Sequence, residues 1–208
     1  MRRLMTFVIL MLISGCAARP APTPRPTLTP TSAFTVVPES PRYLIDNERS
    51  ILRYTAFGQG LLGFAQIPGE FKLKGRTVTL VPEGEGFRVK LEMVIDGNTA
   101  TAANGLLLNT LRSILEIEVF PFAYVSADST QIVSLTEESL SLTLIGTLEL
   151  HGHKRPLDLP ITLSIKDGIL KGKGTIELDL NEYEVNVPTA IMSSRIKFEA
   201  EIVAVVSP

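Results

Sequence analysis

From Tyr43 onward the chain alternates apolar and polar residues in short runs broken by Gly, Pro and Asp. The clearest run is FRVKLEMVID, in which Phe87, Val89, Leu91, Met93 and Ile95 alternate with Arg88, Lys90, Glu92 and Val94. A period of two puts the two sets on opposite faces, which predicts a strand with one dry and one wet side. The same period runs through LSLTLIGTLEL (140–150), LDLPITLSIK (157–166), TIELDL (175–180) and IKFEAEIVAVV (196–206). With SILRYTA, GEFKL and TVTLV the count reaches at least eight strands. Lys166–Asp167–Gly168 between two such runs reads as a hairpin turn. One segment differs: NGLLLNTLRSILEI (104–117) carries leucines at helical spacing and predicts a short helix packed on the sheet.

Many strands with frequent turns and a single helix predict an all-β fold, an antiparallel eight-stranded barrel. Closure is favoured because long strands left as edges would template aggregation. Alternation assigns Leu52, Tyr54, Phe71, Val89, Leu91, Met93, Leu142, Leu144, Leu148, Ile161, Leu163, Ile176, Leu178 and Phe198 to the inward side. A barrel of this size either fills its interior with side chains or encloses one small ligand.

Composition agrees with a folded core: 45% of residues are hydrophobic and 20% charged. The net charge of −2 and the lack of a basic cluster in the folded part disfavour a nucleic-acid partner, and none is expected. A single cysteine excludes an intrachain disulfide. The opening MRRLMTFVILMLISGC has basic residues, an apolar run too short for a comfortable span, then small residues before Cys16, which is the layout of an export signal. Its end, LISGC, resembles a bacterial lipobox and implies that Cys16 is acylated and becomes the mature N-terminus. Loss of residues 1–15 would remove Arg2 and Arg3 and take the net charge from −2 to −4. Residues 16–41, rich in Pro and Thr, cannot build a core and read as an extended tether. The globular domain is expected over 42–208.

Catalytic chemistry is not apparent. The only histidines, His151 and His153, lie in GTLELHGHKRPLDLP with one glycine between them. In an extended segment they would point the same way, but no third histidine or spare thiolate completes a metal set. The simpler expectation is a hairpin turn with the histidines at a barrel rim and Gly152 supplying the turn conformation. No Gly-x-Ser-x-Gly elbow occurs. Gly84 and Gly86 flank Glu85, where a phosphate would be repelled, and Glu116 and Glu118 are expected to alternate on a solvated edge. No enzyme activity and no cofactor are expected.

Four blocks, taken in order, resemble the YceI-like family. They are YLIDNERSILRY with Tyr54; IPGEFKLKG with Ile67, Gly69 and Phe71; NTLRSILEIEVFPFAYV with Leu111, Arg112, Ser113 and Pro121; and GTLELHGHKRPLDLPI with Gly146, Leu148, Leu150, Gly152 and Pro156. The resemblance runs from about Tyr43 to Ser207. It departs from the family pattern at Leu108 and Asn109, where Arg-Asp is the usual pair, and at LDLNEYEV, which keeps an aromatic at Tyr183 without the following glycine.

The resemblance implies a lipocalin-like barrel that carries or sequesters an isoprenoid or another long-chain amphiphile against the inward residues. Arg112, Lys154 and Arg155 are candidates to meet an anionic headgroup at the mouth. The expected partners are a long-chain lipid, the membrane through the anchor at Cys16, and in one arrangement a second copy in a homodimer. The expected location is outside the cytoplasm, anchored on the outer side of the cytoplasmic membrane or in the outer membrane and facing the periplasm or cell exterior. The alternative is an envelope lipoprotein whose packed barrel serves as a protein-interaction module. Burying about twenty CH₂-sized groups would contribute roughly 16 kcal/mol gross. Association and ordering costs of roughly 4–15 kcal/mol oppose it, so affinity depends on how much empty space the barrel holds.

Overall fold

The computed structural model describes residues 40–60, 63, 65–134 and 139–207. The leader, Cys16 and nearly all of the tether lie outside the described residues. Pro38–Pro208 form a compact unit of their own. Its elements are β1 (Arg42–Ile45), β2 (Ile51–Gly58), β3 (Gln66–Glu83), β4 (Gly86–Asp96), α1 (Gly105–Ile114), β5 (Phe122–Ser129), β6 (Leu140–Leu150), β7 (His153–Lys166), β8 (Ile169–Asp179) and β9 (Met192–Val206).

Strands β2 to β9 pair antiparallel in sequence order, and β2 pairs with β9, so the ring closes with eight strands. The short β1 lies between β3 and β9 beyond the start of β2 and extends the same position in the ring. The break between β1 and β2 is stitched by two side chains of the YLIDNERSILRY block. Asp46 Oδ1 accepts from the backbone N–H groups of Glu48 (3.0 Å) and Arg49 (3.1 Å). The buried Ser50 hydroxyl donates to the Val203 carbonyl (3.1 Å) and accepts from its N–H (2.9 Å), taking the place of ladder bonds that the break removes.

The segments GEFKL and TVTLV, expected as separate strands, belong to one strand of 18 residues, β3. Its register shifts between Leu73 and Arg76, where Gly75 (φ 69°) and Arg76 (φ 128°) form a bulge that bends the strand around the barrel corner. The turn at Asp167–Gly168 has positive φ at both central residues, as the type I′ hairpin requires. So does the turn between β6 and β7, whose central residues are His151 (φ 53°) and Gly152 (φ 76°). His151 is thus part of the turn itself rather than a flanking strand residue.

The expected helix is present but shorter. Asn104 caps it by accepting from the Leu107 N–H (2.9 Å), and it ends before Glu116, which has a positive φ of 45°. Glu116 and Glu118 therefore sit in a turn after the helix and not on a strand edge. Inside the ring, Leu80, Val89, Leu144 and Leu170 have no exposed surface and seal the end that holds the β3–β4 and β7–β8 hairpins. Helix α1 and the turn after it lie across the other end, between the top of β4 and the start of β5.

Candidate functional site

Between the sealed end and α1 the barrel holds a cavity of about 120 Å³. Its walls come from β2 through β9, and its roof from Leu111, Leu115, Ile117 and Phe120. The inward positions on the β8–β9 wall explain why space remains. Gly172 and Gly174 on β8 and Ala200 on β9 present little or no side chain, and Gly174 pairs with both Ile161 and Ala200. Ile161, Ile176 and Phe198 point inward yet stay only partly buried because they border this space.

Tyr54 and Lys173 are the polar residues in the lining. The Lys173 side chain is 73% exposed on the outer face, with its ammonium 3.9 Å from the Glu201 carboxylate, so only its strand backbone between two glycines borders the cavity. Tyr54 is 3% exposed, and its hydroxyl donates to the Thr101 carbonyl at 2.8 Å. The phenol crosses Gly69, where a Cβ would stand 2.2 Å from the ring and its oxygen. The ring also packs on Phe71, with centroids 5.2 Å apart. The cavity interior thus offers no free hydrogen-bonding side chain among the described residues, which suits hydrocarbon and disfavours a polar headgroup.

Burial pushes the Tyr54 phenol up to about 12. An unfolded chain releases this proton near pH 10 while the folded barrel retains it, so the stability is full below pH 10 and declines between about pH 10 and pH 12. A shift of this size corresponds to about 2–3 kcal/mol at the alkaline end. Urea midpoints followed from pH 9 to pH 12 are expected to fall steeply for the native chain and less steeply for Tyr54→Phe. Burial also raises the Tyr183 phenol, so Tyr54→Phe should retain part of the slope.

Of the residues assigned inward from alternation, every one except Leu142 borders the cavity. Leu142 is buried in the core without touching it, because a period of two sets the side of a strand but not which inward groups meet empty space. The alternation reading missed Gly172, Gly174 and Ala200, as well as the roof. The signal for the first two was a pair of glycines at inward parity in LKGKGTIEL, the mark of an unfilled interior or a close approach.

The three candidate headgroup residues do not converge. Arg112 is exposed and donates to the Asn98 carbonyl (3.1 Å). Arg155 donates from Nε to the Glu182 carbonyl (2.8 Å), with Glu184 3.9 Å from its Nη2. Lys154 is exposed, on the opposite face of β7 from Arg155.

The histidine rings lie 6.2 Å apart at the rim near α1. His151 packs on Phe120 with centroids 4.5 Å apart, and its Nε2 is 3.5 Å from Glu116; His153 Nδ1 is 3.5 Å from Glu184. Among the described residues no three His, Cys, Asp or Glu side chains gather as a metal site. Both His151 ring nitrogens are buried without a hydrogen-bond partner, and its backbone occupies a conformation that side chains disfavour. Replacement by Asn creates the Asn-Gly pair preferred in this turn, so His151→Asn is expected to raise stability by about 1 kcal/mol in urea denaturation.

A family model described as the YceI-like domain matches residues 43–204. No curated protein matches. Among solved structures, a polyisoprenoid binding domain from Saccharophagus degradans implicated in plant cell wall breakdown superposes with a TM-score of 0.60 at 15% identity, covering 79% of this chain and 98% of that one. BcnA from Burkholderia cenocepacia superposes with a TM-score of 0.58 at 14% identity, covering 76% of this chain and 98% of that one. At these identities the structures establish a shared fold, whereas the family model spans the barrel from the first strand into the last, and the chain belongs to the YceI-like domain family.

Proposed function

We propose that this protein binds the hydrocarbon part of an isoprenoid or similar long-chain amphiphile inside its barrel, and that it acts as a carrier or sequestering protein tethered to a membrane through an acylated Cys16. The observation that carries this reading is the apolar cavity of about 120 Å³, in which the one inward polar side chain among the described residues, Tyr54, already bonds a backbone carbonyl. A barrel serving only as a scaffold for protein contacts would gain stability by filling that space, since cavities in cores are destabilising. The polyisoprenoid binding described for the Saccharophagus degradans domain supports the isoprenoid class. Among the described residues the cavity lining is apolar apart from Tyr54 and the backbone of Lys173, which supports a reading of binding rather than of covalent chemistry.

The basic and apolar leader and the LISGC sequence support export and attachment outside the cytoplasm. The Pro/Thr-rich residues 16–41 would let the barrel stand away from the anchor. Native mass spectrometry of the purified 38–208 unit, followed by solvent extraction, tests the ligand claim without the covalent lipid. One reproducible class of prenyl or acyl lipid in the extract is the expected result. A barrel that emerges empty and takes up no apolar probe would overturn it.

A further inference from the structure

We infer that the ligand enters and leaves through the side wall of the barrel, along the seam between β7 and β8, and that the turn after β8 is the strap holding this seam shut. This rests on the lipid-binding reading above and adds a route, which that reading does not contain.

The seam is the weak line of the ring. β7 pairs with β6 along His153–Leu163, and β8 pairs with β9 along its whole length, Ile169–Asp179. β7 and β8 pair with each other only over Ile161–Lys166 and Ile169–Gly174, so the ladder between them ends halfway up the wall. Pro156 and Pro160 account for the break. The β6–β7 register runs through both without a shift, so neither is at a position that bonds to β6, and their missing N–H groups fall on the β8 side. The Pro160 carbonyl marks that side, lying 3.1 Å from where a Gly174 Cβ would stand. Asp158 alone is left to donate between the two prolines. Leu157 and Leu159 on one edge of the break, and Ile176 and Leu178 on the other, all border the cavity. Parting these edges opens directly onto it.

Side chains replace the ladder along this stretch. The chain leaves β8 in a 3-10 turn, Leu180–Tyr183, and returns against β7. Arg155 of β7 donates from Nε to the Glu182 carbonyl (2.8 Å), and Glu184 lies 3.5 Å from His153 and 3.9 Å from Arg155. Leu180 borders the cavity, while Tyr183 and Val185 are buried. Arg155 is thereby a positioning residue that pins the strap to β7. The end under α1 has no such line, because Leu111, Leu115, Ile117 and Phe120 would have to leave the interior together.

The test is stopped-flow uptake and release of the fluorescent apolar probe 1-aminoanthracene by the 38–208 unit. This unit lacks Cys16, so introduced thiols are its only ones. Extending the register from Ile161 and Gly174 sets the exposed Asp158 and Glu177 opposite each other. Asp158→Cys with Glu177→Cys, joined by a short bis-maleimide, should slow uptake and release by at least about tenfold. The probe's Kd should stay within about twofold, because a door changes rates and not the bound state. Pro156→Val with Pro160→Val restores two donors and should slow both rates without a cross-link. Arg155→Met should quicken both. Asn98→Cys with Arg112→Cys, joined in the same way, ties α1 down where Arg112 meets the Asn98 carbonyl and should leave the rates unchanged.

Unchanged rates in the seam-linked protein, at an unchanged Kd, would overturn the route while leaving the lipid-binding reading intact. So would a tenfold fall on linking Asn98→Cys to Arg112→Cys, which would move the entrance to the α1 end. A native unit that takes up no probe would overturn the lipid-binding reading, and the route with it.

Discussion

Replacing Gly146 with alanine is expected to destabilise the barrel by roughly 3 kcal/mol or more. Gly146 pairs with Ala127 across β5 and β6, and a Cβ there would stand 2.0 Å from the Ser126 carbonyl oxygen and 2.4 Å from the Ala127 Cα. Both are backbone atoms, so no rotamer change relieves the collision and the two strands must separate. Domains of this kind have about 5–15 kcal/mol in total, so the loss is a large fraction. Gly172→Ala provides the comparison. Its added methyl would first meet the tip of Leu163 at 3.2 Å, a group that can move, beside the empty cavity. Its effect should stay within about 1 kcal/mol, because lost unfolded-state entropy offsets mild crowding. Urea denaturation of the two variants checks the pair. Similar small effects would mean that β5 and β6 are not held as closely as the register requires.

Ala200→Phe should reduce binding of any ligand that places a hydrocarbon tail in the barrel by at least about a hundredfold while leaving the fold intact. The methyl of Ala200 faces the cavity between Leu52 on β2 and Gly174 on β8. A phenyl ring built from that point takes up most of a space of about 120 Å³, displacing the ligand rather than the core. Filling an apolar void restores contacts, so the thermal midpoint should hold or rise. Probe displacement and thermal unfolding, run on the same preparation, separate the two effects. A variant that binds normally would place the ligand elsewhere.

Much of this architecture is legible in local pattern, and the exceptions have physical causes. Strands β4, β6, β7 and β9 alternate legibly because their inward sides are mostly Leu, Ile, Met, Phe and Val facing a dry interior, with Gly146 and Ala200 among the exceptions. β5 is the converse. Its inward residues are Ala123, Val125, Ala127 and Ser129, while the bulky Phe122 and Tyr124 belong to the other set, so the usual contrast is inverted. The ammonium of Lys74 lies 4.5 Å from the Phe122 ring centroid and the Arg76 guanidinium 5.9 Å from that of Tyr124, which shields part of the aromatic surface. The join of GEFKL to TVTLV depends on a bulge at Gly75–Arg76 that no period reveals.

The site divides in the same way. Inward parity is local, and it identified the walls from Leu52 to Phe198. The empty space is not local: it arises where Gly172, Gly174 and Ala200 on neighbouring strands come into register, beneath leucines that arrive from α1. The histidine pair misleads for a related reason. Two histidines around one glycine suggest converging ligands, yet His151 turns out to be half of a two-residue hairpin loop, buried against Phe120.

The central claim is that a hydrocarbon tail resides inside the ring, and methyl-resolved NMR of the 38–208 unit titrated with geraniol tests it most directly. Saturable shifts and intermolecular contacts are expected at Leu144, Ile161, Ile176 and Leu178, which border the cavity, with the exposed Ile145 and Val205 unchanged. Contacts confined to Ile145 and Val205, or no saturable change at the four inward residues, would contradict it.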